Sequence, residues 1–240
     1  MKASNQKTNF ALALNWLLRG FFQLLYNQFA WTYDWVACIV SLGRWNDWIL
    51  TVIPFLQGDP ILEIGHGTGH LQLALLESGR AVFGLDSSSS MGKITSRRLR
   101  ETNRQSTLIK GKASNIPFPD DCFASIVATF PSEYIANQQT LEESWRVLQE
   151  DGQLVILPYA WITGDRWLEK LAGWLFRITD QAPEIPANGE ALSGIFGEWI
   201  QALVRTAQQL GFHISIEDVW LKSSRVLVII AKKTNFPQNK

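Results

Sequence analysis

The stretch Ile61 to His70, ILEIGHGTGH, constrains this chain more than any other. It opens with an apolar run, sets the acid Glu63 near its end, and places Gly65, Gly67 and Gly69 at alternate positions. LQLALLESG then continues with helical spacing. Strand, glycine turn and helix in that order bring backbone N–H groups and a helix N-terminus against a ligand. Glycine suits the turn because a Cβ would block close approach and because such turns visit positive φ. A dinucleotide fingerprint asks for glycine at the first, third and sixth places. Here the sixth place is His70, so the spacing disfavours a nicotinamide fold.

A second short apolar strand, AVFGLD, ends at Asp86, about twenty residues beyond the glycines. A carboxylate at that tip is placed to accept two ribose hydroxyls in charge-assisted hydrogen bonds. The helical pattern SSSSMGKITSRRL begins beside it, and Ser87 to Ser90 supply caps, so the helix does not require Asp86 as its N-cap. That helix and its exit carry Lys93, Arg97, Arg98, Arg100 and Arg104 against the single acid Glu101. No aromatic platform is interleaved with them, so the pattern is read as a solvated face, and nucleic acid is not expected as a partner.

Glu63 followed by Gly65-x-Gly67-x-Gly69 resembles motif I of the class I S-adenosylmethionine (SAM)-dependent methyltransferases. GKASNIPFPDDCFASIV, at 111–127, resembles a segment of the quinone-methyltransferase-like (methyltransferase type 11) branch. The family's acid after the first glycine, which reads the adenine amino group, is replaced by Lys112, which cannot accept a hydrogen bond. The resemblance then leaves adenine to the backbone around Lys112 and Ala113, with Ser114 or Asn115 as polar substitutes. LEESWRVLQEDGQLVIL, at 141–157, resembles the family's helix, turn and fifth strand.

The resemblance implies an α/β, Rossmann-like, doubly wound seven-stranded sheet whose last strand is antiparallel, with SAM as cofactor. The implied cofactor-binding set is Glu63, Gly65, His66, Gly67, Gly69, Asp86, Ser87, Lys112, Ala113, Ser114, Thr129 and Phe130. Pro131, Glu133 and Tyr134 follow the fourth strand and are expected to border the transferred methyl and its acceptor. Tyr33 and Tyr26 are expected to close over the cofactor, as N-terminal Tyr-Asp pairs do in small-molecule methyltransferases. The candidates for a catalytic group are His66, Tyr33 and Glu133, and no metal-ligand spacing is visible.

Eleven tryptophans lie mostly before residue 50 and between Trp161 and Trp220, outside the glycine motif. The chain is therefore read as an aromatic helical cap over 1–57 and a SAM-binding domain over 58–240. Within the latter, 159–210 is expected to form a helical insertion on the substrate side. A formal net charge of zero supplies no global field toward nucleic acid or anionic lipid. Cys38 and Cys122 have neither disulfide-framework nor metal spacing, which points to a reducing cytoplasm. The N-terminal apolar run is broken by Arg19, Asp34 and Arg44 and lacks a signal-peptide cleavage pattern, so contact with a membrane is expected to be peripheral at most.

SAM carries an activated methyl, so alignment and exclusion of water are the protein's main contribution. The leading reading is a methyltransferase of a small, apolar or amphipathic acceptor. The competing reading is a SAM-binding module, weak or silent in catalysis, acting as a partner or membrane-associated subunit; Lys112 and the lack of an evident base are its support.

Overall fold

The computed structural model describes residues 41–163 and 195–234. Their elements, in chain order, begin with α1 (Trp45–Leu50), a 3-10 turn (Ile53–Phe55), β1 (Ile61–Ile64) and α2 (His70–Glu77). Next come β2 (Val82–Asp86), α3 (Ser89–Glu101), β3 (Thr107–Lys110), β4 (Phe123–Thr129) and a 3-10 turn (Glu133–Ala136). The chain closes with α4 (Gln138–Val147), β5 (Leu148–Ile162), α5 (Ile195–Gln209), β6 (Phe212–Leu221) and β7 (Ser224–Lys233).

One seven-stranded sheet runs in the order β3-β2-β1-β4-β5-β7-β6. The first five strands pair in parallel and β7 is antiparallel to both neighbours, as the sequence pattern leads one to expect. Strand order reverses between β1 and β4, which opens a crevice outside their carboxyl ends. The central strands must be apolar on both faces because helices cover both. Leu62, Ile64, Ile126 and Ile156 pack with Leu141 and Val147 of α4 and with Ile200, Leu203 and Ala207 of α5. Ile61, Val127 and Val155 pack on the other face with Trp48 and Ile49 of α1 and Leu71 and Leu75 of α2.

Two local features depart from the expected pattern. β5 does not stop at Pro158 but continues to Ile162, with a break in register against β7 between Ile156 and Tyr159. Proline has no N–H for the ladder, so the strand irregularity at Pro158 lets pairing resume beyond it. The sequence 159–162, assigned above to the insertion, is therefore strand. The Asp151-Gly152 turn likewise lies inside β5 as a bulge against β4, with Asp151 at φ 60°. The N-terminal cap up to residue 40, with Tyr26, Tyr33, Asp34 and Cys38, and 164–194 of the insertion lie outside the described residues.

Arg146 on α4 fixes the loop that approaches the crevice. Its guanidinium donates to the carbonyls of Ile116 and Phe118 at 2.9 and 2.8 Å and pairs with Glu143 and Asp120, both at 2.7 Å. Glu143 in turn accepts the Ile116 N–H at 2.7 Å, and the Arg146 hydrogen bond holds its carboxyl below the ordinary 4.5. A depressed folded-state pKa gives stability that is present above the unfolded value and lost as pH falls through the folded one. Arg146→Ala should destabilise the chain by about 2 kcal/mol in urea unfolding at pH 7, because charged hydrogen bonds to two buried-side carbonyls are lost. The deficit should shrink as pH drops below 4.5, where Glu143 becomes protonated in the unfolded chain. A pH-independent deficit would contradict this coupling.

Candidate active site

The glycine turn adopts the conformation its composition allows. Gly65, Gly67 and Gly69 all have positive φ, at 72°, 52° and 81°. A Cβ at Gly65 would come 2.7 Å from the Tyr134 hydroxyl, and one at Gly69 would collide with the Thr95 side chain. The turn therefore needs glycine both for its dihedrals and for close packing. Gly69 caps α2 through its backbone alone, with no side-chain hydrogen bond.

Asp86 joins this turn to the end of β2. Its Oδ2 accepts the Gly67 N–H at 3.0 Å and its Oδ1 accepts the Ser88 N–H at 2.7 Å, while the residue is only 3% exposed. Two amide donors compensate the burial of this carboxylate. Ser88, not Asp86, caps α3, accepting the Met91 N–H at 3.4 Å. Asp86 is thereby left at a cavity wall instead of serving the helix.

That wall belongs to a cleft of about 650 Å³ at the strand-order switch, a volume typical of small-molecule sites. Gly65, Gly67, Asp86, Ser87, Lys112, Ala113, Ser114, Thr129 and Phe130 all line it, as do Pro131 and Tyr134. Lys112 forms a small bridge with Asn115, whose N–H donates to the Lys112 carbonyl at 3.0 Å. Phe130, at φ 46°, sits in the left-handed region, and its N–H is held by the Leu157 carbonyl at 2.7 Å. Its ring stacks on Trp45 at 4.4 Å and lies 6.2 Å from Trp48. A bulky side chain at positive φ stores about 1–3 kcal/mol of strain, of the kind found at ligand clamps.

Several expected residues lie elsewhere. Glu63 is 2% exposed and does not border the cleft; strand alternation puts it on the α2 side with Ile61. Its Oε2 is buried without a partner among the described residues. Burial, with the Asp86 charge as a lesser contribution, pushes its carboxyl up to about 8. Gly69 underlies the turn without lining the cleft. His66, a candidate for both cofactor contact and catalysis, turns away: its Nδ1 lies 3.1 Å from the Gly67 carbonyl and 3.3 Å from Thr95 Oγ1. Burial lowers its pKa, although Asp86 opposes this, and the ring borders a second cavity. Glu133 is exposed in the first turn of the 3-10 segment and is not a cleft residue. Asn137 and Thr140 also line the cleft. The asparagine shows a helix-cap signal, since its side chain accepts the Gln139 N–H at 2.9 Å; nothing in the local pattern marks Thr140.

Residues 61–152 match a protein family described as methyltransferase domain. A demethylmenaquinone methyltransferase of Symbiobacterium thermophilum is 31% identical over 142 residues, covering 55% of this chain and 57% of that protein. Its namesake in Thermotoga maritima is 25% identical over 222 residues, covering 85% of this chain and 93% of the relative. A SAM-dependent methyltransferase structure from Methanosarcina mazei superposes with a TM-score of 0.53 at 22% identity, over 78% of this chain and 98% of that one, which shows the shared fold. Over residues 61–152 this chain is similar to the methyltransferase family, and it has the fold of a SAM-dependent methyltransferase.

SAM is the cofactor of this methyltransferase, and the cleft fits it. The glycine turn leaves room that a Cβ would fill, a buried carboxylate reaches the wall, and aromatic and backbone surfaces flank both. No group of three or more His, Cys, Asp or Glu residues that could hold a metal occurs among the described residues. No helix among them is long and apolar enough to cross a membrane.

The raised pKa of Glu63 generates a test of the turn's support. Below pH 4.5 the carboxyl is neutral whether the chain is folded or not, and stability is full. As pH rises toward 8 the unfolded chain ionises first, so stability falls by about 1.4 kcal/mol per pH unit at most. Glu63→Gln should flatten this slope, leaving the variant more stable than the parent at pH 8 and closely matched at pH 4.5, as read from urea midpoints. A variant less stable at pH 8 than at pH 4.5 by as much as the parent would contradict it.

Proposed function

We propose that this methyltransferase transfers the methyl of SAM to a small, apolar, aromatic acceptor of the quinone-precursor type. The observation that carries the reading is Phe130: a strained residue on the cleft wall, with its ring packed into Trp45 and Trp48. An aromatic wall suits a flat apolar ring by offset or edge-on packing, worth about 0.5–1.5 kcal/mol per pair beyond area burial. The relatives named demethylmenaquinone methyltransferase support the same acceptor class.

Bound in the cleft, SAM supplies a methyl group already activated by its sulfonium. Asp86 accepts the two ribose hydroxyls while its Gly67 and Ser88 donors keep the carboxylate fixed in place. Each of those donors uses one of roughly four acceptor sites on the carboxylate. The Lys112–Ala113 backbone and Ser114 border the adenine end. Tyr134, packed over Gly65 with its hydroxyl 3.5 Å from the Ile64 carbonyl, shapes the reacting end. Thr129 and Phe130 orient the acceptor and exclude water. Neither His66 nor Glu133 borders the cleft, so neither is placed to take a proton from the acceptor. Tyr33, outside the described residues, belongs to the same proposal as a cover over the cofactor.

The lack of an evident base among the described cleft residues favours, as a second reading, a SAM-binding subunit without turnover of its own. Incubation with methyl-labelled SAM and demethylmenaquinol separates the two: labelled menaquinol is expected, and tight SAM binding with no labelled product from quinol or lipid extracts would select the silent module. Phe130→Ala should raise KM for the acceptor about tenfold with little change in SAM affinity. Asp86→Ala should weaken SAM binding by about tenfold or more in calorimetry, from lost hydrogen bonds to charge. Unchanged SAM affinity would remove Asp86 from the ribose.

A further inference from the structure

The basic stripe on α3 is the sequence feature that the cofactor cleft does not absorb, and the structure sorts its members. Arg97 pairs with Glu101 at 2.8 Å in solvent. Arg98 donates to the Thr68 carbonyl at 2.8 Å and fastens α3 to the glycine turn. Lys93 and Arg100 instead rim a second cavity of about 340 Å³, together with Lys110 at the end of β3. None of these three cations has a carboxylate partner among the described residues, and Arg100 donates only to the Ser96 carbonyl, at 3.2 Å.

Leu108 and Ile109 of β3 line this cavity together with polar side chains. Ser89 and Ser96 lie on the α3 side, each about one turn from Gly92, and the Ser96 hydroxyl donates to the Gly92 carbonyl at 2.7 Å. A Cβ built at Gly92 meets no atom within 4 Å, so the helix leaves open space where most residues would place a side chain. Glycine inside a helix is unfavourable, which makes that opening notable. The one acidic wall residue, Asp86, already accepts the Gly67 and Ser88 N–H groups. Three cations gathered round one concave space repel one another, and a multiply charged anion relieves that repulsion. An arginine fork beside two lysines and the Ser89 hydroxyl matches phosphoryl oxygens. No Phe, Tyr or Trp lines the space, so a stacked nucleic-acid base has no platform.

We propose that this cavity binds a phosphoryl group, held by Lys93, Arg100 and Lys110, in a site separated from the cofactor cleft by Asp86. The group comes either from a small phosphorylated molecule or from a phospholipid headgroup. The site stands independently of the acceptor proposed above and of turnover.

The test is calorimetric titration of inorganic pyrophosphate into the full chain at low ionic strength, with SAM affinity measured on every variant. Saturable binding at one site per chain is expected. Lys93→Ala/Lys110→Ala should weaken it by about tenfold or more, since two charge-assisted contacts are lost. Gly92→Leu, which fills the space and keeps every charge, should weaken it as much. Arg97→Ala, on the same helix but outside the cavity, should stay within about twofold, and SAM affinity should be unchanged throughout. Flotation with phosphatidylglycerol vesicles, against phosphatidylcholine controls, identifies the source. Flotation abolished by the lysine pair and by competing pyrophosphate assigns a lipid headgroup; pyrophosphate binding without flotation assigns a soluble phosphorylated ligand. Absence of saturable pyrophosphate binding, or binding that Arg97→Ala weakens as much as the lysine pair, or that Gly92→Leu leaves intact, overturns the proposal.

Discussion

The architecture of the site depends on one buried carboxylate held by two backbone amides. Asp86 accepts from Gly67 on the turn after β1 and from Ser88 at the start of α3. An unpaired carboxylate in that position would be costly to bury. Because the Gly67 donor sits at φ 52°, that half of the tie depends on a backbone dihedral that glycine adopts without strain. The turn, the end of β2 and the beginning of α3 therefore become a single unit. Arg98 adds a second tie between the same parts through the Thr68 carbonyl.

This unit stands where the sheet reverses its strand order, so one carboxylate edge faces two spaces. On one side lies the cleft bordered by Thr129, Phe130 and Tyr134; on the other lies the cationic cavity between α3 and β3. The two spaces have different chemistry. Aromatic rings and main-chain groups surround the first, in keeping with a cofactor that brings its own reactivity and an acceptor recognised by shape. Lysines, an arginine and serines surround the second, which suits an anion. The Arg146 network fixes the 116–118 loop next to the first, far along the chain from the motif that defines it.

Much of this was legible in the residues. Alternate glycines after a short strand, an acid at the next strand's tip, and three motifs in order predict the sheet topology, the cofactor and most of the cleft lining. What stayed hidden is conformational. His66 lies between glycines of positive φ, so strand alternation no longer tells which way its side chain points, and the ring goes to the Thr95 side. Glu63 looks like a ligand contact by motif, yet pleating sends it to the α2 face. Phe130 carries no sequence mark of a left-handed backbone; Leu157 and the Trp45 stack impose it. Pro158 suggests a strand end, whereas an irregularity in pairing carries β5 past it. Each miss occurs where tertiary contacts override a local pattern.

A structure of the chain crystallised with S-adenosylhomocysteine tests the central claim most directly. The account predicts the adenosyl ribose on the Asp86 carboxylate, with the Gly67 and Ser88 donors still in place, and the adenine against the Lys112–Ala113 backbone. A ribose placed away from Asp86, or a ligand that unseats the carboxylate from those two amides, would contradict it.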